Sequence, residues 1–308
     1  MRKRIVNDKY QRGDRVKHEA RTDWGLGEVL ADQAGDKVQV IFEDAGLKMF
    51  SVDVAPLVKV VGEEAQSDHL SLLAKQERKK IGKPKNSATP PAPFTTFPMA
   101  IEHFLRHFPG GFQDPRYVSS EREYKLVPRR LMVELLGREE MQALITSAGY
   151  EEICDRARRV INKTNLLSLY EKLWLAKGTA SPGRQQLFAT SLDNYLYGEE
   201  PAEDRFNAFA KMLYDIEAAK WPVATYFSFL AFPENQIFLK PQVTKHAANV
   251  LHQDIHYTPR VTWLTYSHVL KLAEEIKSRL LQDGREVLVP RDMIDIQSFI
   301  WVIGAYDD

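Results

Sequence analysis

The chain has one cysteine, Cys154, in 308 residues. An internal disulfide, a cysteine-rich zinc site and an iron–sulfur cluster are therefore all excluded, and the composition suits a reducing cytoplasm. Excess charge is lacking too: 42 lysines and arginines stand against 42 aspartates and glutamates, so no global field draws the whole chain to nucleic acid or to a membrane. Any such binding must come from a local patch. No apolar run is long enough to span a bilayer, and Arg2-Lys3-Arg4 is followed by charged residues instead of an apolar segment, so no signal peptide is expected. There is no Walker A run, no Gly-x-Gly-x-x-Gly opening a helix, no Gly-x-Ser-x-Gly elbow and no His-Glu-x-x-His. No repeat period emerges. What remains, 44% hydrophobic and 27% charged, is ordinary globular composition with length for two domains.

The most informative stretch is residues 10–61. Val16-Lys17-His18, Glu28-Val29, Val38-Gln39-Val40-Ile41-Phe42 and Leu47-Lys48-Met49-Phe50 are short β-type runs bounded by turn residues, the pattern of a small barrel. Alternation puts Val38, Val40 and Phe42 on one face and Lys37, Gln39 and Glu43 on the other, and Ile41 breaks it. Gly25 and Gly27 mark a bulge or sharp corner, and Gly35-Asp36 and Asp44-Ala45-Gly46 mark turns. Trp24 is expected to cap the core, and beside Asp23 and Lys48 it is also a candidate anchor for a partner. Glu43 completes the candidate docking set.

Val16, His18, Trp24-Gly25-Leu26-Gly27-Glu28-Val29, Val38-x-Val40-x-Phe42, Gly46-x-Lys48 and Ala55-x-Leu57-x-x-Val60 resemble the small Tudor/SH3-like domain at the C-terminus of UvrD/PcrA-type helicases. The same pattern resembles stand-alone bacterial domains of uncharacterised function with a W-G-x-G-x-V signature. In the helicases the domain is implied to dock RNA polymerase. Here the module is N-terminal and no helicase motor accompanies it.

Residues 62–98 read as a basic, proline-rich linker with a small helical possibility inside it: Leu70, Leu72, Leu73 and Ile81 give apolar content, but Lys75, Arg78, Lys79, Lys80, Lys83 and Lys85 precede Pro90-Pro91-Ala92-Pro93. A solvated tether is the default, and a phosphate-touching segment is the alternative. From residue 99 to 308 the apolar period is helical, with stripes such as Ile101, Phe104, Leu105, Phe108 and Phe206, Phe209, Met212, Leu213, Ile216. Pro128 is expected to cut one helix, Ser181-Pro182 to open another, and the run around Phe227 to form a central buried helix. Lys240-Pro241 opens a further helix, whose free N–H groups could hold an anion. A buried helix ending in Phe232-Pro233, this lysine-bearing start, a long helix over 264–281 and a last helix with Asp292-x-x-Asp295 resemble the helical DNA glycosylase architecture. The glycine-rich hairpin of that family is absent: Ala219-Lys220-Trp221-Pro222 stands in its place.

Asp292 and Asp295 share one face of the last helix, as an acid–base or metal-holding pair or as plain complements of the helix dipole. His103/His107 and His252/His256 stand at i,i+4 spacing, but no third ligand is in view, so no metal and no cofactor is expected. Lys240, Lys245, His246, Arg260 and Lys271, interleaved with Tyr257, Trp263 and Tyr266, form either a face for distorted or single-stranded nucleic acid or an ordinary surface over an aromatic core.

The sequence therefore predicts an α+β chain: an SH3/Tudor-like barrel (10–61), a linker (62–98) and an all-helical domain (99–308). The expected role is a non-enzymatic cytoplasmic adaptor in nucleic-acid transactions. Its docking residues are Asp23, Trp24, Glu43 and Lys48, with RNA polymerase or a DNA-repair complex as the implied partner, and its candidate nucleic-acid residues are Lys240, Lys245, Arg260 and Trp263. The rival is a DNA-acting enzyme using Lys240 with Asp292 and Asp295. No membrane association is expected, and the residues leave the oligomeric state open.

Overall fold

The computed structural model describes residues 9–306 except 22, 23, 34, 44, 45, 52–56, 68, 69, 72, 73, 76 and 79–95. The chain divides into two compact units at Ala88/Thr89, a smaller one built on an antiparallel sheet and a larger one built of helices.

The first unit holds β1 (Arg15–His18), β2 (Gly27–Val29), β3 (Lys37–Phe42), β4 (Gly46–Ser51) and β5 (Leu57–Val60), in the antiparallel order β4-β3-β2-β1-β5. Val16, Val29, Val38, Val40, Phe42 and Leu57 form the core on one face, with Tyr10, Trp24 and Phe50 packed against it. Gly27 is required where β2 pairs with β3 opposite Phe42: a Cβ there would lie 2.8 Å from the Phe42 ring and from Val40.

Ile41 has its explanation on the other face. The register sets Arg15 opposite Glu28, Glu28 opposite Ile41 and Ile41 opposite Leu47, so these residues form one cross-strand row away from the core. The chain itself binds that row at Arg15 and Glu28, while Leu47 at its edge stays exposed. After a 3-10 turn at Glu63–Ala65, residues 70, 71, 74, 75, 77 and 78 are helical, and Leu70 and Ala74 are fully buried. Ser67 Oγ donates to Glu43 at 2.5 Å, and Arg15 donates to Ser71 Oγ at 2.6 Å. Arg78 donates to the Leu30 and Val29 carbonyls and pairs with Glu28, which also binds Arg15 at 3.0 Å. Leu70, Ala74 and Arg78 recur every four residues, so one helical face carries two apolar contacts and the ionic one. The described residues of the linker up to 78 are thus bonded to the sheet and are not a solvated tether. The small helical possibility was legible from Leu70; the burial of Ala74 and the bonds of Arg78 to the sheet were not. Residues 79–95, with the proline run, lie outside the described residues.

The second unit comprises α1 (Phe97–His107), α2 (Glu123–Leu136), α3 (Arg138–Thr146), α4 (Tyr150–Asn162), α5 (Leu169–Gly178), α6 (Pro182–Tyr197), α7 (Ala202–Asp215), α8 (Trp221–Ala231), α9 (Pro241–Val250), α10 (Trp263–Gln282) and α11 (Met293–Ala305). Every residue of α8 from Trp221 to Leu230 is buried, as its all-round apolarity requires. α11 packs against α1, α9 and α10, and approaches α9 so closely that a Cβ on Gly304 would lie 2.8 Å from Val243. A short helical turn at Pro115–Tyr117 runs through a π-turn, Val118–Arg122, into α2. Pro128 does not cut that segment. It lies inside α2, where its missing N–H costs one hydrogen bond and its buried ring packs in the interior. His252 and His256 are not helical: both have positive φ, 52° and 47°, in the loop after α9, so their spacing does not pair them.

Candidate partner and nucleic-acid interface

In the β unit Trp24 lies between two roles. Its ring is 4.7 Å from His18, 5.3 Å edge-on from Phe42 and 6.2 Å from Phe50, which makes it a lid on the core. It remains half-buried, with the Arg21 guanidinium 4.8 Å and the Lys48 ammonium 5.5 Å from its centroid. Lys48 is thus joined to Trp24 as the sequence proposed. Glu43 is held by Ser67 and is shared with the chain's own covering segment. Asp23 lies outside the described residues. Leu47 and Met49, 43% and 59% exposed on edge strand β4, were missed; they follow from the register, which turns them to the face opposite the core.

In the helical unit, Asp292 is the N-cap of α11, accepting from the N–H groups of Ile294 and Asp295. Arg122 grips both aspartates: Nη2 meets Asp292 at 2.7 Å, and Nη1 meets Asp295 at 2.8 Å. Arg291 adds a second guanidinium at 2.9 Å from Asp295, and the Tyr117 hydroxyl donates to Asp295 at 2.5 Å. Burial alone would push the Arg122 guanidinium down; the hydrogen bonds and charges of Asp292 and Asp295 outweigh it and hold Arg122 above its ordinary value. Burial, then the Asp295 charge, pushes the Tyr117 hydroxyl well up. Alongside, the fully buried Lys125 binds Ser298 Oγ at 2.7 Å and Glu121 at 3.3 Å, and Glu121 accepts from Tyr306 at 2.6 Å. Burial pushes Lys125 down to about 8, against the opposing pull of Glu121. Each aspartate is thus saturated by donors from the same unit.

Lys240 is elsewhere, at the start of α9 as expected, donating to the Leu166 carbonyl at 3.2 Å and lying 3.7 Å from Glu171. Among the described residues no contact joins it to Asp292 or Asp295, so the structure does not bring the enzymatic trio together.

Lys245, Arg260 and Trp263 gather around the loop from His256 to Thr262. The Lys245 ammonium stands 4.9 Å from the Tyr257 centroid, and the Arg260 guanidinium 5.7 Å from that of Tyr214. Trp263, half-buried, packs on Phe206 at 5.7 Å. Tyr266 is buried and belongs to the core, while Tyr214, 40% exposed, comes from α7 and was not foreseen. Tyr214 Oη accepts from the Val261 N–H at 2.8 Å, which fixes the loop beside it. His256 lies 4.6 Å from His268, and Asp254 is 3.2 Å from His256. Among the described residues no group of three or more histidines, cysteines or acids is arranged to hold a metal ion, and no helix is long and apolar enough to cross a membrane.

Fold and site together define an α+β chain in which a small antiparallel β unit precedes a larger all-helical one. A family model described as "Protein of unknown function (DUF3553)" matches residues 10–60, the span of the five strands. No curated protein and no solved structure matches the chain.

Proposed function

We propose that the protein is a non-enzymatic adaptor in nucleic-acid transactions, with the β unit docking on a protein partner and the helical unit contacting protein or nucleic acid. One observation carries the reading: the candidate reactive groups have internal partners, whereas the aromatic and cationic groups around Trp24 and around Arg260 reach the surface. Asp292 and Asp295 hold Arg122 and Arg291, and Lys240 holds Glu171. Trp24 carries Lys48 and Arg21 on a half-buried ring, the kind of amphipathic anchor that interfaces use. The likeness of residues 16–60 to Tudor/SH3-like helicase domains supports RNA polymerase as the partner, with a DNA-repair complex as the other implied assembly; the strand order β4-β3-β2-β1-β5 is compatible with that fold. The reading places the protein in the cytoplasm, in keeping with its single, buried cysteine.

The test is a binding titration of the full chain against purified RNA polymerase, comparing the native protein with Trp24→Ala and Lys48→Glu. The native chain is expected to bind and both variants to bind at least about tenfold more weakly, as for hot-spot residues. Equal binding by all three removes Trp24 and Lys48 as the docking site, and no binding by the native chain removes this partner.

A further inference from the structure

A chain whose charges balance overall carries a marked local imbalance. Between Glu234 and Glu274 the sole acid is Asp254, while Lys240, Lys245, Arg260 and Lys271 and four of the eight histidines, His246, His252, His256 and His268, lie in the same interval. The fold sorts this excess. Lys240 is neutralised by Glu171, and Asp254 is occupied by His256. Lys245, Arg260 and Lys271 have no carboxylate within ion-pair distance among the described residues. Two of these three cations lie over tyrosine rings, Lys245 over Tyr257 and Arg260 over Tyr214, and the third stands one helical turn beyond His268 on α10. Tyr214 and Leu264 are exposed, and Tyr257 and Trp263 are half-buried, so π-faces and cations alternate around one loop.

From this we infer that the face around His256–Leu264 binds single-stranded nucleic acid, with Lys245, Arg260 and Lys271 meeting phosphates and Tyr214, Tyr257 and Trp263 presenting surfaces on which bases stack. Unpaired cations favour a polyanion because each releases condensed counterions from the strand. The interleaved rings favour unpaired bases over a duplex, whose bases are already stacked, and over an acidic peptide, which has no π-faces to offer. The inference rests on the adaptor reading and specifies what its helical unit holds.

The experiment measures fluorescence anisotropy of labelled 20-nucleotide oligo(dT) and oligo(rU), a duplex of equal length, and polyglutamate, each with the full chain across a salt series. Single strands are expected to bind, with the slope of log affinity against log salt falling by about 0.7 for each cation removed. Lys245→Glu combined with Arg260→Glu is expected to weaken binding at least about tenfold, and Tyr214→Ala by about fivefold or more. A control with the same net charge, Arg130→Glu combined with Arg158→Glu, is expected to bind as the native chain does. Should the double reversal fail to fold by circular dichroism, Arg260→Gln and Lys245→Gln carry the test through their salt slopes. Preference between oligo(dT) and oligo(rU) assigns DNA or RNA. The inference is overturned by equal loss in the control, by tighter binding of duplex than of single strand, by binding of polyglutamate alone, or by no binding to any probe at low salt. If RNA polymerase binding fails while oligonucleotide binding stands, the docking reading falls alone; the reverse result sinks this inference alone.

Discussion

The β unit has six buried side chains at its core, one side of a sheet packed on itself, and meets its other face with a helical segment anchored largely by polar bonds. The helical unit encloses its polar groups instead: Lys125 and Asp295 have no exposed surface and are held by Glu121, Ser298, Arg122 and Tyr117. The difference is one of reserve. A small core leaves a marginal domain, so the covering segment matters to it. A large core tolerates an internal ionic cluster, but each charge in that cluster depends on its partners, because water is not there to replace them.

Asp295→Ala is the harshest test of this contrast. It leaves Arg122 buried with one of its two carboxylates gone and takes the Asp295 acceptor from the Tyr117 hydroxyl, and should cost the helical unit about 3–5 kcal/mol in a denaturant titration. A loss below about 1 kcal/mol would mean that the cluster is solvated after all.

Next in size is Leu70→Ala, expected to cost about 2–3 kcal/mol and to lower only the unfolding transition of the β unit. If residues 62–78 were a free tether, the substitution would have no effect, so the measurement separates a covering segment from a linker.

A smaller effect should appear in alkali. Burial lowers the Lys125 amine from its ordinary value to about 8, so between pH 8 and the usual lysine range the unfolded chain binds more protons than the folded one. Stability of the helical unit should therefore climb as pH rises through 8. The climb should be missing in Lys125→Met, and above pH 10 the buried tyrosines, Tyr117, Tyr226 and Tyr266 among them, should reverse it, since their folded forms keep their protons. Titrations of native and Lys125→Met protein by urea unfolding at about pH 7, 9 and 11 would check both signs.

The mildest consequence concerns Cys154, whose thiol is buried and pushed up to about 12, mainly by burial. Native protein should react with a disulfide reagent at pH 8 only as fast as the helical unit opens, and unfolded protein at once.

The parts of this structure legible in the sequence are those that depend on local period. Alternation located the core face of β3, all-round apolarity located α8, and Ser181-Pro182 and Lys240-Pro241 marked helix starts where they fall, whereas Asp292, read as part of the last helix, is its N-cap. Ile41 was visible as an exception, but the bonds of Ser71 and Arg78 to Arg15 and Glu28 on the same face were not, because they join the sheet to a stretch dominated by charge. Pro128 misled because a proline's cost is local while the burial that offsets it is tertiary. The partners of Asp295 were out of reach altogether: Tyr117 and Arg122 precede it by 178 and 173 positions, and no periodicity encodes such a meeting. Tyr214 joined the cationic face for the same reason, through a bond from Val261 on a distant loop.

That separation has a bearing on how the protein is made. While the ribosome is still translating the middle of the chain, Arg122 and Lys125 already exist, but the carboxylates and hydroxyl that α11 brings do not. Phe97 and Phe104 likewise wait for Phe299. The helical unit therefore cannot finish its interior until α11 has emerged, and a chain cut short before Met293 would leave Arg122, Lys125 and Phe104 without those partners.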